Sequence, residues 1–180
     1  MNIDEAGLVD EAQFIVSPNC DERPPDMAIE LLVIHNISLP PGVFGGTAVV
    51  DLFMNRLDPR EHPYFEAIAA LRVSTHFFLR RDGALLQFVP CAMRAWHAGQ
   101  SLWCGRERCN DFSIGIELEG ADDLAFSAAQ YARLGALARA LYARYPIVAS
   151  VGHSDIAPGR KTDPGPHFAW ERYFRHLSLK

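Results

Sequence analysis

The sequence predicts a single α/β domain, a central mixed β-sheet flanked by helices. Three observations carry this. Residues 29–34 form a nearly unbroken apolar run, the pattern of a strand buried on both faces. Residues 112–119 alternate, with Phe112, Ile114, Ile116 and Leu118 facing one way and Ser113, Gly115, Glu117 and Glu119 the other. Ser127-Ala128-Ala129-Gln130 is a capping box that opens an amphipathic helix to about Tyr145, ended by Pro146. Interleaved strands and helices fit one layered sheet-and-helix core.

The remaining elements follow in order. Residues 1–27 read as an acidic lead-in, and 28–180 as the main domain. Phe14, Ile15 and Val16 suit a short strand laid on the body, and Pro24-Pro25-Asp26 a turn. The apolar run from residue 29 stops at His35-Asn36, before a Pro/Gly loop over 39–46. Thr47 is placed to cap a short helix reaching Arg56, and Pro63 to start another over 64–71. Residues 73–79 and 85–89 read as a hairpin about Arg81-Asp82-Gly83, stopped by Pro90. Residues 91–111 form a long irregular stretch, and such loops inside compact domains are usually functional. The alternating strand is expected to be half-buried, with a polar face. Residues 147–151 are another strand, ending at Gly152-His153. A closing helix is expected over 168–177, with Trp170, Phe174 and Leu177 inward.

Composition narrows the function classes. Half of the 180 residues are apolar, enough for a core. Seventeen basic against 22 acidic residues give a net charge of −5, with a pI near 5.8. Binding to nucleic acid or anionic membrane needs a basic footprint, so neither partner is expected. The first 22 residues hold six acidic side chains and no Lys or Arg, unlike a secretory signal. The uncharged window 31–50 is broken by Pro40, Pro41, Gly42, Gly45 and Gly46, so no membrane span is expected there. These features predict a cytoplasmic protein, and nothing in them demands more than a monomer. Cys20, Cys91, Cys104 and Cys109 are then expected as free thiols.

Two histidines stand in equivalent places. His35 and His153 each lie just past an apolar strand, and Asp163 follows across a loop. Two imidazoles and one carboxylate make a zinc set with an open fourth position; capping and turn roles are the competing reading. Glu117 and Glu119 share one strand face. A carboxylate beside an activated water acts as general base, whereas a solvated strand face needs no such role. Lys161 stands two residues before Asp163, where a cation suits an oxyanion, or a plain surface. Trp96-His97-Ala98-Gly99 offers a sugar-stacking wall or core filler. A thiol enzyme built on Cys109 is a rival without motif support.

At this point several ordered segments together resemble a known family. They are Val33-Ile34-His35-Asn36, Ser74-Thr75-His76-Phe77-Phe78, Arg80-Arg81-Asp82-Gly83, Trp96-His97-Ala98-Gly99, the stretch 110–117, the stretch 152–161 from Gly152-His153 to Arg160-Lys161, and Thr162-Asp163-Pro164-Gly165-Pro166. The chain resembles the zinc-dependent N-acetylmuramoyl-L-alanine amidases, which share a fold with peptidoglycan recognition proteins. The likeness is strongest to the AmpD-type 1,6-anhydro-N-acetylmuramoyl-L-alanine amidases of cytosolic peptidoglycan recycling. It spans about residues 29–177 and leaves the lead-in uncovered. The resemblance implies Zn2+ held by His35, His153 and Asp163, Glu117 as the carboxylate that activates water, and Lys161 as oxyanion partner. It implies substrate contacts at Asn36, Arg72, Trp96 and His97, and a soluble muropeptide as substrate. Two relatives in function stand as alternatives: a recognition protein that binds peptidoglycan without cutting it, and an amidase acting on intact wall.

Overall fold

The computed structural model describes residues 1–178. In chain order its elements are β1 (Gln13–Phe14), β2 (Cys20–Glu22), β3 (Leu31–Ile37), α1 (Ala48–Phe53), α2 (Pro63–Ile68), β4 (Phe77–Leu79), β5 (Leu85–Gln87), β6 (Met93–Ala95), β7 (Leu102–Trp103), β8 (Arg106–Glu107), β9 (Ser113–Glu119), α3 (Ala128–Arg144), β10 (Ala149–Gly152), α4 (His153–Ile156) and α5 (Trp170–Leu177). Six strands make the main sheet, in the order β1-β5-β4-β9-β3-β10. Only the β4–β5 pair is antiparallel; β10, β3, β9 and β4 run parallel, and β1 is parallel to β5. The mixed sheet with flanking helices is the predicted architecture.

Alternation along the strands sorts the core. Leu32, Ile34, Ile114, Ile116, Leu118, Phe77 and Leu79 pack on one side with Leu134, Leu137, Leu141 and Tyr173 of α3 and α5. The opposite face is covered by two separate clusters. One joins Phe78 and Leu86 to α1 and α2; the other joins Leu31, Val33 and Val151 to Cys109 and Phe112. The functional residues lie between these two covers.

Several boundaries differ from expectation. The alternating strand is not half-buried. Its polar face is enclosed as well, with Ser113 and Gly115 buried and Glu119 only 4% exposed, because other segments, His97 against Gly115 among them, cover that side of the sheet. The first helix ends at Phe53 and Thr47 makes no side-chain cap bond. The second helix ends at Ile68 and is capped by the His62 imidazole, which accepts from Tyr64 N–H. The hairpin strands are shorter, with regular pairing only over 77–79 and 85–87. The stretch 91–111 is not wholly irregular: it holds β6, the β7–β8 hairpin and a 3-10 turn over Cys109–Asp111. In α5 the inward residue is Tyr173, fully buried, while Phe174 is 45% exposed. Trp170 and Leu177 pack against the core as expected, so only the middle position of the stripe shifts, from Phe174 to Tyr173. The capping box at Ser127 and Gln130 is present as read.

The lead-in docks closely. β1 extends the main sheet beside β5, and β2 pairs with β6 in a separate two-stranded ribbon. The Arg23 guanidinium donates to the carbonyls of Cys91, Asn110, Asp111 and Ser113 at 2.9–3.1 Å.

Candidate metal and active site

Strand register brings the predicted residues together. His35 pairs with Glu117 across β3 and β9, and Gly152 pairs with Ile34, so His153 follows directly beside His35. Residues in register across neighbouring strands point to the same face. His153, His35 and Glu117 therefore form a row at the C-terminal ends of three parallel strands, where open α/β sheets usually present their ligands. Asp163 arrives by a loop that the Ser154 N–H pins, donating to the Asp163 carbonyl at 3.0 Å.

The ligand atoms converge. His35 Nδ1 lies 3.0 Å from both His153 Nδ1 and Asp163 Oδ2, and His153 Nδ1 is 3.1 Å from Asp163 Oδ2. Among the described residues these three form a group able to hold a metal ion. Both histidines are buried, at 1% and 3% exposure. Burial pushes the His35 imidazole down to about 4, against its contact with Asp163, so it is neutral near pH 7.

The two glutamates differ sharply. Glu119 is a structural group: Oε1 accepts from Gly45 N–H at 2.6 Å and Oε2 from Arg81 N–H at 3.0 Å. Glu117 Oε2 is buried without a partner. Burial, reinforced by the Asp163 charge, raises the Glu117 carboxyl well above its ordinary value. A buried carboxyl without a fixed partner beside a candidate metal is suited to moving a proton.

The row opens into a groove of about 400 Å³, lined by Asn36, Trp96, His97, Glu117, Lys161 and Asp163 among others. Ile37, Leu39, Leu52, Phe53, Tyr64 and Ile68 give it an apolar wall. Asn36 Nδ2 donates to Asp122 Oδ1 at 2.7 Å. The Trp96 indole N–H donates to Asp21 Oδ1 of the lead-in at 3.1 Å, which fixes the ring. His97 reaches the groove and also lies behind the first ligand, with Nδ1 2.9 Å from His35 Nε2. Arg72 is not brought into the groove; its exposed guanidinium turns back to the carbonyls of Ala70 and Leu71. Cys109 is buried and unpaired, and burial raises its thiol, which removes the thiol-enzyme rival.

Comparison with known proteins identifies the family. Residues 25–166 match the family described as N-acetylmuramoyl-L-alanine amidase. The chain belongs to that family. It is an amidase. It is 57% identical over 175 residues to the 1,6-anhydro-N-acetylmuramyl-L-alanine amidase AmpD of Citrobacter freundii, covering 96% of this chain and 93% of the relative. The Escherichia coli AmpD is 57% identical over 171 residues, 94% of this chain and 93% of the relative. A crystal structure of a selenomethionine AmpD derivative superposes with a TM-score of 0.96 at 55% identity, over 99% of this chain and all of the other. The Escherichia coli amidase AmiD, solved with anhydro-N-acetylmuramic acid-L-Ala-D-γ-Glu-L-Lys, gives 0.62 at 31% identity, over 86% of this chain and 60% of that one.

Within this family fold, sequence reasoning left several site neighbours unassigned: Asn110, Ser113, His76 and Arg23. Asn110 and Ser113 fall in a segment that carried the resemblance, and His76 in another. Their roles had no local signal, because each acts through a contact remote in sequence.

Proposed function

We propose that this amidase is zinc-dependent and cuts the amide between the lactyl group of N-acetylmuramic acid and L-alanine, with a soluble 1,6-anhydromuropeptide as substrate. The observation that carries the reading is the triangle of His35 Nδ1, His153 Nδ1 and Asp163 Oδ2, with edges of 3.0–3.1 Å. Ligand atoms about 2.0–2.1 Å from a tetrahedral zinc stand about 3.3 Å apart, so the donor set fits. The unpartnered Glu117 Oε2 beside it is the second mark of a catalytic site. His35, His153 and Asp163 would hold the ion, which when bound supplies Lewis acidity toward the scissile carbonyl and toward water.

The protein's own residues do the rest. Glu117 accepts a proton from the attacking water, whose oxygen bonds to the carbonyl carbon. Lys161, exposed at the groove wall, offsets the negative charge that develops on the carbonyl oxygen. Glu117 then returns the proton to the departing nitrogen as the C–N bond breaks. The products are the free amine of the peptide and the lactyl carboxylic acid, which passes its remaining proton to solvent or to the amine at neutral pH. Asn36, Trp96 and His97 contact the substrate along the groove, and the exposed Arg72 guanidinium must swing away from the Ala70 and Leu71 carbonyls to pair a peptide carboxylate.

Substrate choice is supported by the relatives named for the 1,6-anhydro sugar at 57% identity. A net charge of −5 also gives no long-range attraction to an acidic wall polymer. The four cysteines are unpaired, in keeping with a reducing cytosol, and no helix among the described residues is long and apolar enough to cross a membrane. The enzyme is taken to act as a monomer, which light scattering checks. The deciding experiment compares rates on anhydromuropeptide and purified sacculi at matched bond concentration, with and without chelator. Faster cutting of the soluble substrate, abolished by chelator and restored by zinc, is expected. Equal rates or a preference for sacculi would overturn the recycling assignment, and indifference to chelator the metal.

A further inference from the structure

The outer nitrogens of both histidine ligands are held by adjacent residues of one short segment. The Cys109 carbonyl can only accept, so the Ser113 hydroxyl donates to it at 2.6 Å. With its one proton committed, Ser113 Oγ accepts from His97 Nε2–H at 3.2 Å. No carboxylate is among the partners of His97, and a neutral imidazole carries one proton, so His97 Nδ1 is a bare acceptor. His35 Nε2, 2.9 Å away, therefore donates to it. That leaves His35 Nδ1 as a lone pair directed into the ligand triangle. His153 reaches the same state by a shorter route. Its Nε2–H donates to the Ala98 carbonyl at 3.1 Å, leaving Nδ1 bare. Arg160 donates to that same carbonyl at 2.8 Å.

His97 and Ala98 are in turn set by one side chain. Asn110 Oδ1 accepts from the His97 N–H at 3.1 Å and the Ala98 N–H at 2.8 Å. The turn bearing Asn110 is anchored from the lead-in: Arg23 donates to the carbonyls of Asn110, Asp111 and Ser113 at 3.0, 2.9 and 2.9 Å.

We propose that Asn110 is a positioning residue of the metal site: by clamping His97 and Ala98 it holds both His35 and His153 with their Nδ1 lone pairs toward the metal, on a turn that Arg23 anchors. This rests on the reading of His35, His153 and Asp163 as zinc ligands. Outer partners of ligating histidines fix the tautomer, and their loss typically costs roughly 10–100-fold in metal affinity.

The test uses the full chain and four variants: Asn110→Ala, Asn110→Asp, His97→Phe and His97→Gln. Zinc affinity is read by chelator competition well below the melting temperature. Long-range 1H–15N spectra of metal-free protein read the proton position on each ring. In the wild type both rings should carry it on Nε2. Asn110→Ala should mix tautomers in both rings and weaken zinc roughly 10–100-fold. Asn110→Asp keeps the accepting oxygen and should stay within about threefold of wild type. His97→Phe should disturb His35 alone, and His97→Gln should restore it. Asn110→Ala with wild-type tautomers and zinc affinity would overturn the proposal, even with a lowered melting temperature. So would Asn110→Asp as weak as Asn110→Ala. If Asn110→Ala does not fold, an undisturbed His35 tautomer in His97→Phe overturns it instead. A wild type that binds no zinc sinks the ligand assignment itself; tight wild-type binding with unaffected variants sinks only the positioning role.

Discussion

Replacing Gly115 with Ala probes the site from behind. Gly115 sits mid-strand in β9 with ordinary backbone geometry, so the backbone itself accepts Ala. On that ground alone the change would stabilise by ~0.4–1 kcal/mol through the unfolded chain. The Cβ, however, would lie 2.4 Å from His97 Cγ, 2.6 Å from Nδ1 and 2.7 Å from Cδ2. Ordinary contact begins near 3.4 Å, so the imidazole must retreat by about 1 Å. Overpacking of this kind costs ~1–3 kcal/mol and outweighs the gain. The retreat also breaks the 2.9 Å bond to His35 Nε2. A net loss of up to ~2.5 kcal/mol in stability is expected from these opposing effects, together with a loss of roughly 10–100-fold in zinc affinity. Gly120→Ala is the control. Its Cβ meets Phe126 Cε1 at the same 2.4 Å, within the core cluster on the far face of the sheet. It should destabilise comparably and leave zinc binding alone. Denaturant melts and chelator competition on both variants decide the matter; Gly115→Ala with wild-type zinc affinity would refute the reasoning.

The remaining predictions are more direct. Glu117→Gln should lose ~10²–10⁴-fold in turnover with zinc content intact, while Glu119→Gln should act on stability, since both Glu119 oxygens hold backbone N–H groups; steady-state kinetics with metal analysis separates the two. Lys161→Ala should lower kcat by ~10²–10³-fold without unfolding, and near-wild-type turnover would remove it from the mechanism. Metal-free Glu117→Gln protein should weaken as pH falls; the substitution removes the raised Glu117 carboxyl, whose proton uptake on folding runs the other way. Burial holds His35 at about 4 and His76 and His97 well below 6.5. Below pH 6.5 the unfolded chain therefore binds protons that the fold refuses, so stability is present above that value and lost beneath it. Each histidine contributes at most about 1.4 kcal/mol between pH 7.5 and 5.5. Urea melts in chelator at the two pH values should show the drop, and equal midpoints would contradict it.

Much of the fold was legible in the sequence because its signals are local. An apolar run, an alternation, a capping box and a proline stop each report on a few neighbouring residues, and β3, β9 and α3 lie where those patterns put them. The strand-end placement of His35 and His153 was readable for the same reason. Other features depended on pairing across distance. Glu117 and Glu119 are indistinguishable by period, since both fall on one face of β9. Register set Glu117 beside His35, and the Gly45 and Arg81 amides claimed Glu119. The polar face of β9 looked solvated but is buried, because segments remote in sequence cover that side of the sheet. His97 read as a groove wall; its second part, behind His35, required Ser113 and Gly115 to meet it from another segment. Local pattern determines which face a residue takes, whereas contacts between segments far apart in sequence determine what that face meets. In this protein those long-range contacts separate the unpartnered Glu117 carboxyl beside the histidines from the structural Glu119 carboxylate two residues away.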